Sequence, residues 1–200
     1  MIIDPGHENP AADAVNGVYE QHRPLMAGDK VLDLGAHAGY FTSVALEKIG
    51  PTGFVVAFEP HPDNYRRWQE RIQQSNALCI NAGAWSCGGE GDLWPAIDNS
   101  GGHSFFHVAK GQESQPIKCQ LIDIGRWLEL VGFKPDFVKI DTELAELHIL
   151  TSLMRTSLRP EIAAEIHNLE MWNGCRQLLA NKGYHLTPDT FTNYYLFAWQ

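Results

Sequence analysis

The stretch at residues 30–50, KVLDLGAHAGYFTSVALEKIG, is the feature that most constrains the fold. A short run of β-branched and leucine residues enters a loop with two glycines, and a helix-spaced apolar pattern follows and stops near Gly50. The unit repeats at once. Gly53 leads into FVVAFEP, a strand-length apolar run, and HPDNYRRWQERIQQSN follows as a charged helix expected to stop near Asn76. Two β-α units in succession require a parallel sheet, because parallel neighbours need a crossover and the crossover helices cover its faces.

The rest of the chain extends this plan. ALCINAGAW at 77–85 predicts a third strand, after which glycines, prolines and short alternating segments over 86–118 predict a hairpin-rich insertion. Regular order resumes with IGRWLELVG as a helix, PDFVKID as a buried strand, TELAELHILTSLMRTSL as a helix and EIAAEIH as another strand. LEMWNGCRQLLANKG predicts a last helix, and YHLTP with NYYLFAWQ a terminal antiparallel hairpin. Upstream, residues 1–10 read as an extended arm. Residues 11–26 place Val15, Val18, Tyr19, His22 and Met26 at near-helical spacing, which predicts a short amphipathic helix. The expected class is α/β: an arm and helix over 1–26, then one domain over 27–200 built on a doubly wound, mostly parallel sheet of about seven strands.

Composition narrows the partners. The 200 residues carry 24 acidic and 15 basic side chains, a formal charge of −9, which argues against a nucleic-acid partner because phosphate binding needs a positive surface. The four cysteines form no CxxC pair and read as reduced thiols. Apolar runs such as FVVAF fall far short of the roughly 20 residues of a membrane helix. The opening MIIDPGHENP lacks the basic and apolar regions of a signal peptide, so a soluble, cytoplasmic protein without a membrane partner is expected.

In doubly wound sheets, ligands bind outside the carboxyl ends of the strands, beside the point where strand order reverses. The first strand ends in Asp33-Leu34-Gly35-Ala36-His37-Ala38-Gly39, whose glycines let the backbone turn tightly and approach a ligand. The second ends in Glu59, twenty residues after Gly39, where a carboxylate can accept both hydroxyls of a ribose and repels a 2′-phosphate. Position 37 is histidine, so the dinucleotide pattern GxGxxG does not form, and no GxxxxGK(S/T) loop occurs. Asp33 suits a cation better than a phosphate. S-adenosylmethionine, with a ribose, an ammonium and a sulfonium but no phosphate, fits; a nicotinamide cofactor, favoured only by the glycine loop and Glu59, is the rival.

These residues resemble the FkbM-type family of S-adenosylmethionine-dependent methyltransferases, within the Rossmann-like class I group, over about residues 30–170. VLDLGAHAGYFTS is similar to its first motif, FEPHPDNYRRWQERIQQSN to its second and DFVKIDTELAELHIL to its third. The resemblance implies a seven-stranded Rossmann-like methyltransferase sheet. It implies that Asp33, Gly35, Ala36 and Gly39, with His37 among them, line the methionine end of the cofactor. Glu59 would hold the ribose with Pro60 beside it, and Asn81, Ala82 and Ala84 would flank the adenine. It also implies methylation of a hydroxyl on a sugar, polyketide or other small-molecule acceptor. One position departs from the pattern: Leu144 stands where the family usually has glycine. That departure motivates a second reading, a catalytically silent module that binds S-adenosylmethionine.

Methyl transfer from a sulfonium is an in-line displacement, so the enzyme must position the acceptor and help it shed a proton. Asp141, at the end of the PDFVKID strand, is the first candidate for the base; the alternative is a helix N-cap for a segment starting at Thr142. Glu143 and Glu146 would lie one helical turn apart, with Glu143 in the first turn, where the dipole favours an anion. Lys139 cannot be buried unpaired and is expected to meet Asp141 or Glu165, either orienting the base or forming a structural pair. Glu165 and His167 share one face of the next strand, and His167 is a second candidate base. A divalent metal on Asp141, His167 and Asn168 is the lesser alternative, since magnesium prefers harder oxygen ligands. The insertion, with Trp94, His103, Phe105, Phe106 and His107, reads as a lid that selects the acceptor or as a hairpin whose aromatics pack on the core.

Overall fold

Strands buried along nearly their whole length organise the chain. The computed structural model describes residues 17–107, 111–113, 115–187 and 195–200; the expected arm and the first part of the expected helix lie outside them. β1 (Lys30–Leu34) and β2 (Phe54–Phe58) each bury their last four residues, and β7 (Phe137–Ile140) buries all four. With β3 (Ala77–Ile80), β8 (Glu161–Glu165), β9 (His185–Leu186) and β10 (Tyr195–Trp199) they form a seven-stranded sheet in the order β3-β2-β1-β7-β8-β10-β9. The first five strands of that order run parallel, and β10 pairs antiparallel with both β8 and β9, which is the expected terminal hairpin.

Side chains alternate across the sheet, so each strand feeds two cores. Leu32, Leu34, Val56, Phe58, Val138 and Ile140 face α3 (Ile124–Val131), α4 (Glu146–Leu153) and α5 (Leu169–Asn181). Val31, Val55, Ala57 and Phe137 face α1 (Tyr40–Ile49) and α2 (Pro62–Arg71), together with Tyr19. Strand order reverses between β1 and β7, where Asp33 sits opposite Lys139 and Leu34 opposite Ile140. The chain leaving β1 and the chain leaving β7 therefore emerge side by side.

Three expectations are corrected. The run 77–85 is two strands: β3 stays in the main sheet, while β4 (Gly83–Trp85) joins β5 (Gly89–Leu93) and β6 (Ile117–Asp123) in a second sheet of order β4-β6-β5. Asn81 makes the bend by donating to the carbonyls of Glu59 and Pro60. The helix expected from Thr142 begins at Glu146, because Glu143 (φ 50°) and Leu144 (φ 82°) leave the right-handed region. Asp141 is therefore not an N-cap, and Glu143 and Glu146 are not a pair one helical turn apart. Upstream of β1, the helical element among the described residues is a 3-10 turn over Val18–Glu20.

Cys79, Cys119 and Cys175 are buried thiols and Cys87 is exposed. Among the described residues, no helix is long and apolar enough to cross a membrane.

Candidate active site

A cavity enclosing about 1010 Å³ of atom-free space, its open mouth included, lies over the strand ends at the switch point. One half is built from the ends of β1 and β2. Glu59, 5% exposed, is held by two backbone donors: the His37 N–H reaches Oε2 at 2.8 Å and the His61 N–H reaches Oε1 at 2.9 Å. Burial pushes its carboxyl up to about 7, against those hydrogen bonds. His37 turns its backbone to Glu59 at φ 50°, and burial lowers its imidazole to about 4, so the ring is neutral at physiological pH.

The two glycines of the loop meet protein rather than open space. Gly35 has φ 79°, and a Cβ there would lie 1.7 Å from the Asp141 carbonyl oxygen; at Gly39, φ 81°, a Cβ would lie 2.9 Å from the Trp68 ring. Gly35 and Ala36 reach the cavity wall beside His37, whereas Gly39 is committed to packing between α1 and α2. Asp33 is fully buried beneath the cavity floor, accepting a 2.7 Å bond from Thr42 Oγ1. Pro60, Gly83 and Ala84 line the wall; Ala82 belongs to the core, and Asn81 clamps the loop after β2.

The other half is a cluster of charges at the ends of β7 and β8. Lys139 Nζ donates to the Gly35 carbonyl at 2.7 Å and lies 3.4 Å from Asp33 Oδ1 and 3.6 Å from Asp141 Oδ2. The expected partner Asp141 is present, and the closer carboxylate is Asp33. Burial opposes the charge on Lys139, but those two carboxylates outweigh it and raise its pKa. His167 Nδ1 meets Glu146 Oε1 at 3.1 Å. Its Nε2 lies 3.4 Å from Glu143 and 3.9 Å from both Asp141 and Glu165. Burial disfavours the imidazolium, yet Glu143, Glu146 and Asp141 hold the His167 pKa well above its ordinary value. Burial pushes Glu143 to about 7. Glu146 is completely buried and also accepts the Leu144 N–H at 3.0 Å, so one carboxylate fixes both the loop and the ring.

The insertion roofs the cavity. Ser100 lies 2.9 Å from His37 Nε2 through its hydroxyl and accepts from Asn64 Nδ2 through its carbonyl, while Ser104 Oγ donates to the Glu143 carbonyl at 2.6 Å. Phe105 fits against Gly83, where a Cβ would be 2.6 Å from its ring. Of the other insertion aromatics, Trp94 lies tilted against His107, ring centroids 4.0 Å apart, and Phe106 lies near Trp85 and His148. Sequence reasoning missed Tyr19 as a site residue. Its hydroxyl lies 2.9 Å from Asp141 and 3.1 Å from Glu165, a contact 122 and 146 positions away along the chain that no local pattern announces. Among the described residues, no group of three or more His, Cys, Asp or Glu is arranged to hold a metal ion, and the Asn168 side chain is occupied as the N-cap of α5.

Strand order, switch-point cavity and strand-end carboxylate together define the Rossmann-like fold of S-adenosylmethionine-dependent methyltransferases. A methyltransferase FkbM from Methylobacillus flagellatus KT shares it with a TM-score of 0.66 at 16% identity, over 96% of this chain and 48% of that one. Aeropyrum pernix fibrillarin in complex with natively bound S-adenosyl-L-methionine follows at 0.58 and 16%, over 94% and 72%, and a precorrin-6y C5,15-methyltransferase from Geobacter metallireducens GS-15 at 0.57 and 16%, over 99% and 92%. A model of the methyltransferase FkbM domain matches residues 33–186, and the chain belongs to that family. In sequence, 49 residues are 41% identical to a protein-L-isoaspartate O-methyltransferase of Ignicoccus hospitalis, covering 24% of this chain and 23% of that protein. The chain thus spans about half the length of the FkbM structure and about a quarter of the curated relative.

Proposed function

We propose that this chain is an S-adenosylmethionine-dependent O-methyltransferase acting on a hydroxyl of a small molecule or sugar. The observation that carries the reading is the pairing of two different ends in one cavity: a buried Glu59 fixed by backbone donors, and a carboxylate-rich cluster around Asp141. The cofactor fits the first end. Glu59 spends one contact per oxygen on backbone N–H groups and retains acceptor capacity for ribose hydroxyls.

When bound, S-adenosylmethionine supplies the methyl group on a positively charged sulfur. The chain's own residues hold the acceptor oxygen in line and take its proton, as an oxygen–carbon bond forms and the carbon–sulfur pair returns to sulfur. Asp141 is the base at this wall: burial disfavours its charge, but Lys139 and His167 hold its carboxyl below the usual range. His167, kept cationic by its carboxylates, orients and balances Asp141 rather than accepting the proton itself. The roof over 99–105 excludes water and shapes the acceptor's entrance, the role of the 86–118 insertion as a lid.

Calorimetry with S-adenosylhomocysteine and with NAD, followed by mass spectrometry over a panel of hydroxylated acceptors, tests the proposal. Binding of the former alone and a 14-dalton-type methyl gain on one acceptor are expected; NAD binding without S-adenosylhomocysteine binding overturns it. Asp141→Asn should reduce turnover by about 10²–10⁴-fold. The silent-module reading is favoured by the left-handed Leu144, and it predicts cofactor binding with no methylated product.

A further inference from the structure

Tyr19 is 4% exposed, packed edge-on against Phe41 and Tyr195 with ring centroids 5.4 and 5.5 Å away. Its hydroxyl sits between Asp141 Oδ2 at 2.9 Å and Glu165 Oε2 at 3.1 Å. A phenol carries one proton and donates to one carboxylate at a time. The second oxygen at hydrogen-bond distance must bring a proton of its own, because two unprotonated acceptors facing one another in a buried site repel. Hydrogen-bond accounting therefore requires a proton on one of the two carboxyl groups.

We propose that Tyr19 is a positioning residue that makes the Asp141–Glu165 pair hold a single proton, donating to an ionised Asp141 and accepting from a protonated Glu165. The asymmetry has a structural source. Both carboxyl groups line the cavity, but Asp141 is flanked by Lys139 at 3.6 Å, while Glu165, 8% exposed at the end of β8, lies 3.9 Å from His167. Burial and the charge of Asp141 push Glu165 up to about 8, and Lys139, His167 and Tyr19 together hold Asp141 low against its own burial. The other groups facing the pair are Asp33 from β1 across Lys139, Glu143 and Glu146 around His167, and Tyr195 from β10 beside Tyr19. Glu143 adds to the elevation of Glu165, so it acts in the same sense. One ionised carboxylate then faces the acceptor and accepts its proton, and Glu165, already protonated, does not compete for it.

The inference rests on the reading of Asp141 as the base, but its test needs no acceptor. In the full chain labelled with ¹³C at Asp and Glu carboxyl carbons, NMR should find Glu165 protonated at neutral pH and Asp141 ionised. Tyr19→Phe removes the donor and should raise the Asp141 pKa by about one unit, a tenfold change in proton affinity. Glu165→Gln replaces one neutral group by another and should leave the Asp141 titration in place. An ionised Glu165 at neutral pH, an Asp141 titration unmoved by Tyr19→Phe, or a lowered Asp141 pKa in Glu165→Gln each overturns the proposal. Should Tyr19→Phe fail to fold, the wild-type titration and Glu165→Gln still decide. Loss of S-adenosylhomocysteine binding in the wild type would refute the proposed function while leaving this titration readable.

Discussion

Gly35 meets two demands that a side chain defeats: a left-handed backbone at φ 79° and a carbonyl oxygen 1.7 Å from where a Cβ would stand. Gly35→Ala should cost more than about 3 kcal/mol in urea unfolding or prevent folding, because β1 and β7 would have to part at their ends. Leu144 is the opposite case, a branched residue at φ 82°, in the left-handed region that favours glycine. Leu144→Gly should raise the unfolding free energy by about 1 kcal/mol. A loss of stability instead would mean that the packing of the leucine side chain outweighs the strain. Glu59 makes cofactor affinity depend on pH. Its carboxyl, raised to about 7, must ionise to receive ribose hydroxyls and a nearby positive charge. S-adenosylmethionine carries a sulfonium charge that S-adenosylhomocysteine lacks, so affinity for the former should fall by up to about tenfold per pH unit below 7. In Glu59→Gln, calorimetry should find weaker binding with that slope removed.

At the scale of elements, the segment from β7 to α4 and the insertion act together. Glu143 and Leu144 are held in the left-handed region as the buried Glu146 carboxylate accepts the Leu144 N–H and the insertion's Ser104 holds the Glu143 carbonyl. Ser104 also accepts from the Phe106 N–H, so one hydroxyl ties the roof to the loop that carries Glu143. Ser104→Ala should release both bonds at a cost of about 1–2 kcal/mol and speed hydrogen exchange of the Phe106 amide by about tenfold or more. Unchanged exchange would show that the roof is held elsewhere. The sequence pattern misplaced the start of α4 because ELAELHIL is helix-forming throughout, and the tertiary bonds to the loop override that preference. Caps with purely local geometry were of a different kind: Asp123 and Asn168 each accept a backbone N–H three residues on, at 3.2 and 2.8 Å.

For the whole molecule, buried charge sets the response to pH. Glu59 and Glu143 titrate near 7 and Glu165 near 8 in the folded chain, all above the ordinary glutamate value, and His167 is raised too. The folded state therefore binds more protons than the unfolded one above pH 6.5. His37, His61, His103 and His148, all lowered by burial, oppose this, most strongly at and below the ordinary histidine pKa and less as pH rises further. Stability should consequently fall as pH rises from 6.5 to 8.5, by roughly 1–3 kcal/mol, read as a lower urea midpoint at the alkaline end. A flat or rising midpoint would contradict the assigned protonation states. The sequence by itself determined the β-α alternation, the parallel sheet, the placement of Glu59, Asp141 and Lys139 at strand ends, and the family motifs. Each of these is written in contiguous residues through periodicity and turn chemistry. Only the tertiary structure decided that Asp33 lies under the floor, that Asn81 bends the chain into a second sheet, and that Tyr19 bridges Asp141 and Glu165. Those outcomes depend on which atoms meet across more than twenty and up to 146 positions of chain, and on desolvation and charge pairing that exist only once the sheet has closed over them.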